Sequence, residues 1–301
     1  TPIVMNTIKN AKKGAAERTA DNYIKQVETA VAEAKLENKS VPNGTYNIDG
    51  NGNLTGAGLP DGKLEINMSG NKPTSGTVKI SNGGVSQDGT TMTVGDYIVS
   101  YDKDNNKQIA QELYKGILCK AVTTATTGKV PSGNYAYGDE YTCELGDNDE
   151  KTFFVLETNG DNVSLIMNKN IDSNGKGTTS GNTVAWCKSG NDNSCAADGA
   201  LEYLKTSTTG WTKLTESQIS LPSYDQIYKA AGNKTSGLST WLYGNLNNSS
   251  APHGYWTSTP RASYSNYAWY VYYGGSLNFR SVDYDDYGVR PVITVSKSQL
   301  D

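Results

Sequence analysis

From Ile3 to about Lys39 apolar side chains return every three or four residues: Ile8, Ala11, Ala15, Tyr23, Ile24, Val27, Ala30, Val31 and Ala34. That spacing lines them up on one stripe of a helix, and no proline interrupts it. Pro42, Asn43 and Gly44 predict its end. The period then changes to two. "GTYNID", "KLEINM", "GTVKIS" and "MTVGDYIVSYD" alternate apolar and polar letters between Gly and Asn punctuation, which predicts an antiparallel meander. A second helical spacing is read in "KQIAQELYKGILCKAV", which runs into the Thr-rich "TTATTGKVPSG".

Beyond residue 130 the runs shorten. "GDEYTCEL", "KTFFVLET" and "NVSLIMNKNI" read as strands, followed by a Gly- and Asn-rich loop. "DGALEYL" and "SYDQIYKAAG" read as short helices, capped by Asp198 and Ser223. "AWYVYY", "SLNFRSV" and "VRPVITV" close the chain as strands. The fold class is therefore α+β: a long N-terminal helix with an antiparallel sheet over 1–105, a helical linker over 106–129, and a second domain over 130–301.

A length of 301 residues accommodates two domains, each with its own core. The 32 glycines fit β-structure joined by turns. A net charge of -4, with only four arginines, argues against a nucleic-acid or anionic-membrane surface. No run of eighteen apolar residues is present. The cysteines at 119, 143, 187 and 195 form no C-x-x-C, and the single His253 is remote from them in sequence, so a zinc site is not expected. Two local pairs, Cys119/Cys143 and Cys187/Cys195, each close a short loop and read as disulfides of an exported chain, the alternative being buried free thiols. The chain starts with Thr1 rather than Met at "TPIVMN", as expected after removal of a preceding apolar segment.

The stretch from Thr1 to "SVPNGTY" resembles the type IV pilins and pseudopilins of Gram-positive bacteria over residues 1–105. That resemblance implies a half-helix packed on a four-stranded sheet, with about twenty apolar residues encoded directly before Thr1. It also implies contact with other pilin subunits through the helix, and membrane contact only through that preceding segment. The cleavage motif and apolar half-helix of the family are not in this sequence. Over residues 130–298, "LPSYDQIYKAAG", "WLYGNL", "GYWTSTP", "YAWYV" and "YGVRPVI" resemble bacterial C-type lectin-fold proteins. That group includes the variable proteins of diversity-generating retroelements and shares its fold with formylglycine-generating enzymes. The fold carries binding on some members and catalysis on others.

Residues 254–293 hold eight of the 20 tyrosines and three of the four arginines. Between Ala251 and Ser296 there is no Lys, Glu, Gln or Met, although the chain contains 46 of these four residues. None of the four can be encoded by a codon ending in a pyrimidine. Randomised adenines in AAC or AAT codons can yield Tyr, Ser, Asp, Arg, His, Phe, Leu or Gly, a set that the observed letters fit with Trp256 and Trp269 as exceptions. A tyrosine-rich β-surface that disfavours long flexible side chains is the competing explanation. Tyr, Ser, Asn and Arg also make a paratope-like composition, with large contact area and adaptable hydrogen bonds.

The expected binding face comprises Arg261, Ser263, Tyr264, Asn266, Tyr272, Tyr273, Asn278, Arg280, Asp283, Tyr284 and Asp286, exposed and contiguous. Trp256, Trp269, Val271, Val289 and Val292 are its expected buried framework, and Trp241 is expected in the core. "GDNDEK" lacks EF-hand spacing and reads as a hairpin turn rather than a calcium loop. "DYDD" at 283–286 places three carboxylates together and reads as a solvated loop, the alternatives being a metal ligand set or an acid–base pair. The paired carboxamide and carboxylate around a Pro that bind calcium and sugar in animal C-type lectins are missing. No cysteine follows Cys195 to serve as an active thiol, and no other nucleophile is evident. The sequence thus predicts no cofactor, no metal and no enzyme. It predicts a ligand-binding protein, extracellular on a cell surface or pilus, whose partner is a protein or glycan. A structural pilin subunit is the first alternative, and an enzyme on the formylglycine-generating scaffold the second.

Overall fold

The long helix forms as its spacing requires, but its stripe is buried only from Ala16 onward, and the expected Ile8, Ala11 and Ala15 are exposed where none of the described sheet residues covers them. In the computed structural model, which describes residues 2–180 and 182–301, α1 runs from Pro2 to Leu36. Ala20, Tyr23, Val27 and Val31 are buried on its packed face, whereas Ile3, Val4, Met5 and Ile8 are exposed. Each large buried side chain contributes roughly 1.5–3 kcal/mol. The Tyr23 hydroxyl also donates to the Gly52 carbonyl at 3.0 Å.

The chain divides into two compact units, Thr1–Leu113 and Tyr114–Asp301. In the first, β1 (Gly44–Ile48), β2 (Leu54–Thr55), β3 (Lys63–Leu64), β4 (Ser75–Ser81), β5 (Gly84–Val94), β6 (Tyr97–Asp102) and β7 (Lys107–Glu112) form one antiparallel sheet. Its order is β3-β2-β1-β4-β5-β6-β7, so it has seven strands where the pilin resemblance implies four. The core joins α1 to Tyr46, Ile48, Leu54, Val78, Ile80, Met92 and Val99 from the sheet.

The expected helical linker over 106–129 is not helical. Lys107–Glu112 is the edge strand β7, and Cys119–Ala121 is a strand, β8, of the second unit. Ile109, Leu113 and Ile117 recur at helical spacing, but Gln108 and Ala110 are the buried positions, a period of two. The Ala110 amide donates to the Glu17 carboxylate on α1 at 3.0 Å. That long-range partner overrides the local period.

The second unit adds β9 (Glu140–Glu144), β10 (Glu150–Asn159), β11 (Asn162–Met167), β12 (Asn170–Ile171) and β13 (Gly177–Thr178). Then come α2 (Asp198–Ser207), β14 (Ile219–Ser220), α3 (Tyr224–Ala230), α4 (Thr240–Tyr243), β15 (Gly254–Pro260), β16 (Tyr267–Tyr272), β17 (Ser276–Ser281) and β18 (Val292–Ser296). A six-stranded sheet has the order β14-β18-β11-β10-β9-β8, and a three-stranded sheet the order β15-β16-β17. Cys119 pairs in register with Cys143 and is disulfide-bonded to it, and Cys187 is bonded to Cys195. Ser223 caps α3 with a full capping box, its hydroxyl accepting from the Gln226 amide. Asp198 does not cap α2. Ala197 occupies that position, and the Asp198 carboxylate accepts from the Lys188 amide instead. "GDNDEK" is the β9–β10 turn, in which the Glu144 carboxylate accepts from the Gly146 and Asn148 amides. The buried Lys151 ammonium there meets Asp147 at 2.6 Å and Asp149 at 3.2 Å.

Two apolar clusters divide this unit, and both sheets contribute to both. Phe153, Val155, Trp256, Ala268 and Tyr270 belong to one; Phe154, Leu156, Tyr255, Val271 and Leu277 belong to the other. Alternation along β10, β15 and β16 thus buries both faces of each strand.

Candidate ligand-binding site

The turn from β15 to β16 is held from outside. Asp192 accepts from the Ser194 amide and so starts a single 3-10 turn at Asn193–Cys195, which the Cys187–Cys195 disulfide ties down. Asn193 then grips the turn by its backbone. Its amide donates to the Ser265 carbonyl at 2.6 Å. Its side-chain Nδ2 donates to the carbonyls of Tyr264 (2.7 Å), Tyr267 (2.9 Å) and Arg261 (3.3 Å). Three acceptors around one amide nitrogen fix which way the carboxamide points. The β16–β17 turn has its own constraint: Gly275 takes φ of 74°, and a Cβ there would come 2.8 Å from the Tyr243 ring.

The side chains of the gripped turn lean onto β17. The Arg261 guanidinium lies 3.2 Å from the centre of the Phe279 ring and 4.0 Å from that of Tyr264. The two rings are 6.4 Å apart and within 17° of parallel, so the guanidinium sits between them. Tyr267 meets both rings edge-on at 5.8 Å. Trp269 packs edge-on against Phe279 at 5.5 Å and, tilted by 47°, against Tyr224 at 4.5 Å. Phe279 and Tyr264 are 39% and 48% exposed, so the sandwich opens to solvent.

None of the eleven expected face residues is buried. Ser263, Tyr264, Arg280, Asp283 and Tyr284 are exposed, and Arg261, Asn266, Tyr272, Tyr273, Asn278 and Asp286 are half-buried. They do not form one face. Opposite partners in the β16–β17 register are Ala268/Arg280, Tyr270/Asn278 and Tyr272/Ser276 on one side, and Trp269/Phe279 and Val271/Leu277 on the other. Arg261 and Tyr264 join the Phe279 side, whereas Tyr272, Asn278 and Arg280 lie on the opposite side. On that second side the Arg280 guanidinium lies 4.2 Å over the Tyr284 ring, and Tyr270 packs on Tyr287 at 4.0 Å. A hydrogen bond to Tyr284 raises Arg280 above the usual arginine range. A hydrogen bond with Tyr273 pushes Tyr272 up to about 12. A groove of about 1030 Å³ borders this side, with Val184, Lys188, Glu202, Tyr203, Asp283 and Asp285 in its lining.

Trp256, Val271, Val289 and Val292 are fully buried, and Trp241 is in the core. Trp269 is not; it is half-buried and belongs to the open aromatic cluster. Tyr270 takes the inward place that alternation gave to Trp269, because Tyr287 and Trp256 cover it from the other side. Phe279, Tyr267 and Asn193 were not singled out by sequence. Alternation in "SLNFRSV" offered a signal for Phe279. None existed for Asn193, whose contacts span 68 to 74 residues.

Deeper in the unit, Arg290 is fully buried and donates to the carbonyls of Leu242 and Gly244, with its guanidinium 4.6 Å over the Tyr255 ring. Burial pushes it down to about 10. It fastens the end of α4 and does not reach the open cluster. Comparison of the chain with protein-family models, with curated proteins and with solved structures finds no match in any of the three.

Proposed function

We propose that the second unit is a ligand-binding module whose contact surface is the cluster of Arg261, Tyr264, Tyr267, Trp269 and Phe279. One observation carries the reading: an arginine with no carboxylate partner among the described residues is held between two solvent-open rings. Aromatic rings and arginine supply most of the energy in binding surfaces, since they bury large area with little side-chain entropy to lose. The external grip of Asn193 supports it, because a pre-ordered turn loses less freedom when a ligand docks. The module binds and does not catalyse. In this proposal the first unit is a pilin-like carrier that holds the module on the cell surface or a pilus, and the ligand is a protein or glycan.

The test is selection by the full chain from a random phage-displayed peptide library and, in parallel, binding to a glycan array. Binders enriched by the native chain and lost on Tyr264→Ala with Phe279→Ala support the proposal. The alternative, a structural subunit with no ligand, is favoured by the division of the eleven residues between two sides of the sheet. Binders that ignore both substitutions, or no binder at all, decide for that alternative.

A further inference from the structure

The Arg261 cluster adjoins an open sheet edge. β17 is the outermost strand of its sheet. The Leu277 amide donates away from β16, to the Thr235 carbonyl at 2.8 Å. Hydrogen-bonding direction alternates along a strand, so Phe279 also turns its N–H and C=O away from β16. Among the described residues the far side of β17 meets the chain at the Ser236–Ser276 bridge and the Thr235 bond, and no strand continues beside Asn278–Ser281. The residue with the open backbone is the one whose ring carries the Arg261 guanidinium.

The chemistry of that guanidinium narrows what docks there. Rings cover both of its faces, so its N–H donors are available at the edge, in the planar fork that matches a carboxylate. From Ala251 to Val282 the sequence has no Asp or Glu to fill that fork. Asp283, the first acidic residue beyond that stretch, accepts from the Ser281 hydroxyl, and Asp192, the chain neighbour of Asn193, accepts from the Ser194 amide. Residues 254–281 contain no lysine, and Arg280 lies on the opposite side of the sheet from Arg261, which disfavours a phosphate-rich partner. A sugar acid would satisfy the fork and leave the strand edge unpaired, whereas a peptide satisfies both.

We infer that the ligand is an extended peptide bearing a carboxylate side chain, which adds as a strand along β17 and places that carboxylate on Arg261. This rests on the reading of the cluster as a binding site. In such strand addition the backbone supplies hydrogen bonds and alternate side chains supply selectivity.

The test measures fluorescence polarisation with the full chain and four probes: a labelled peptide of alternating Val and Glu, its Val and Gln counterpart, the Glu peptide N-methylated at alternate residues, and labelled polygalacturonate. The Glu peptide is expected to bind about tenfold or more tightly than the Gln peptide. Arg261→Ala should abolish that ratio, and Arg261→Lys should leave a residue of it. N-methylation in the register that blocks pairing should weaken binding comparably. Thermal melts followed by tryptophan fluorescence establish that each variant is folded. Equal binding of Glu and Gln peptides, indifference to N-methylation, preference for polygalacturonate, or no binding of any peptide at about 1 mM overturns the inference. Library binders that need Tyr264 yet carry no acidic residue would overturn the carboxylate and leave the binding site standing.

Discussion

Replacing Asn193 isolates the grip on the β15–β16 turn. Asn193→Ala removes three side-chain contacts to carbonyls and keeps the backbone bond to Ser265. A carboxamide nitrogen has two hydrogens, so these contacts amount to about two hydrogen bonds, each contributing roughly 1 kcal/mol. The freed carbonyls keep backbone partners within the turn, such as the Arg261 amide on the Tyr267 carbonyl at 2.9 Å. The cost is therefore about 2 kcal/mol, without a further penalty for stranded acceptors. Asn193→Asp has the same shape and no donor when ionised. It directs a carboxylate at three carbonyl oxygens and should cost more than Ala. All five tryptophans lie within Tyr114–Asp301, so their fluorescence follows the second unit alone in the full chain. For a unit of this size 2 kcal/mol corresponds to a Tm lower by about 4–8 °C. An Ala variant within about 0.5 kcal/mol of the native chain, or an Asp variant as stable as the Ala variant, would refute the grip.

Trp256→Ala should destabilise the second unit by about 3–5 kcal/mol, as a core cavity that also loses a bond to the Val184 carbonyl, while the half-buried Trp269→Ala should cost roughly half as much; urea titrations compare them. Burial raises the Tyr141, Tyr255 and Tyr287 hydroxyls above 10.0, Tyr141 to about 12, so the unfolded chain releases these protons first and stability falls as pH climbs above about 10. Arg290, held down to about 10, opposes them, because the unfolded chain binds its proton more tightly; tyrosinate absorbance rising together with the fluorescence transition checks the net loss. Ser223→Ala should cost about 1 kcal/mol by removing the α3 cap. Replacing both Cys119 and Cys143 by Ala, which opens a loop of 24 residues between neighbouring strands, should cost about 2–4 kcal/mol, read from melts of the variant and the native chain without reductant.

What the sequence revealed depended on whether the deciding contact was local. The long helix, the β4 to β6 meander and the Ser223 cap follow from neighbours a few residues apart. The stretch from Lys107 to Ala121 does not: β7 is set by Glu17 on α1, and β8 by its pairing with Cys143. The candidate site was legible as composition and not as geometry. Alternation assigns inside and outside when one face of a sheet is buried. Here apolar clusters lie on both faces of β15-β16-β17, so Tyr270 is buried next to Val271 and parity mislocates Trp269. One face drawn from letters alone therefore became two.

The grip also bears on which positions of the turn are free to change. Every bond that Asn193 makes to it ends on a carbonyl, at Arg261, Tyr264, Ser265 or Tyr267, and none ends on a side chain. A carbonyl is present whatever residue stands there, so the turn keeps its path when its side chains are exchanged. Ser263 is the exception by conformation: its φ of 70° favours Gly, Asn or Asp and disfavours a branched replacement. The same logic extends to β17, where a docking strand would bond to the backbone of Phe279 and read its neighbours by side chain. Backbone contacts thus fix the shape of the proposed surface, and side chains at 261, 264 and 279 would set what it prefers. Such a surface can be rewritten without being refolded, which is compatible with the narrow alphabet of residues 251–296.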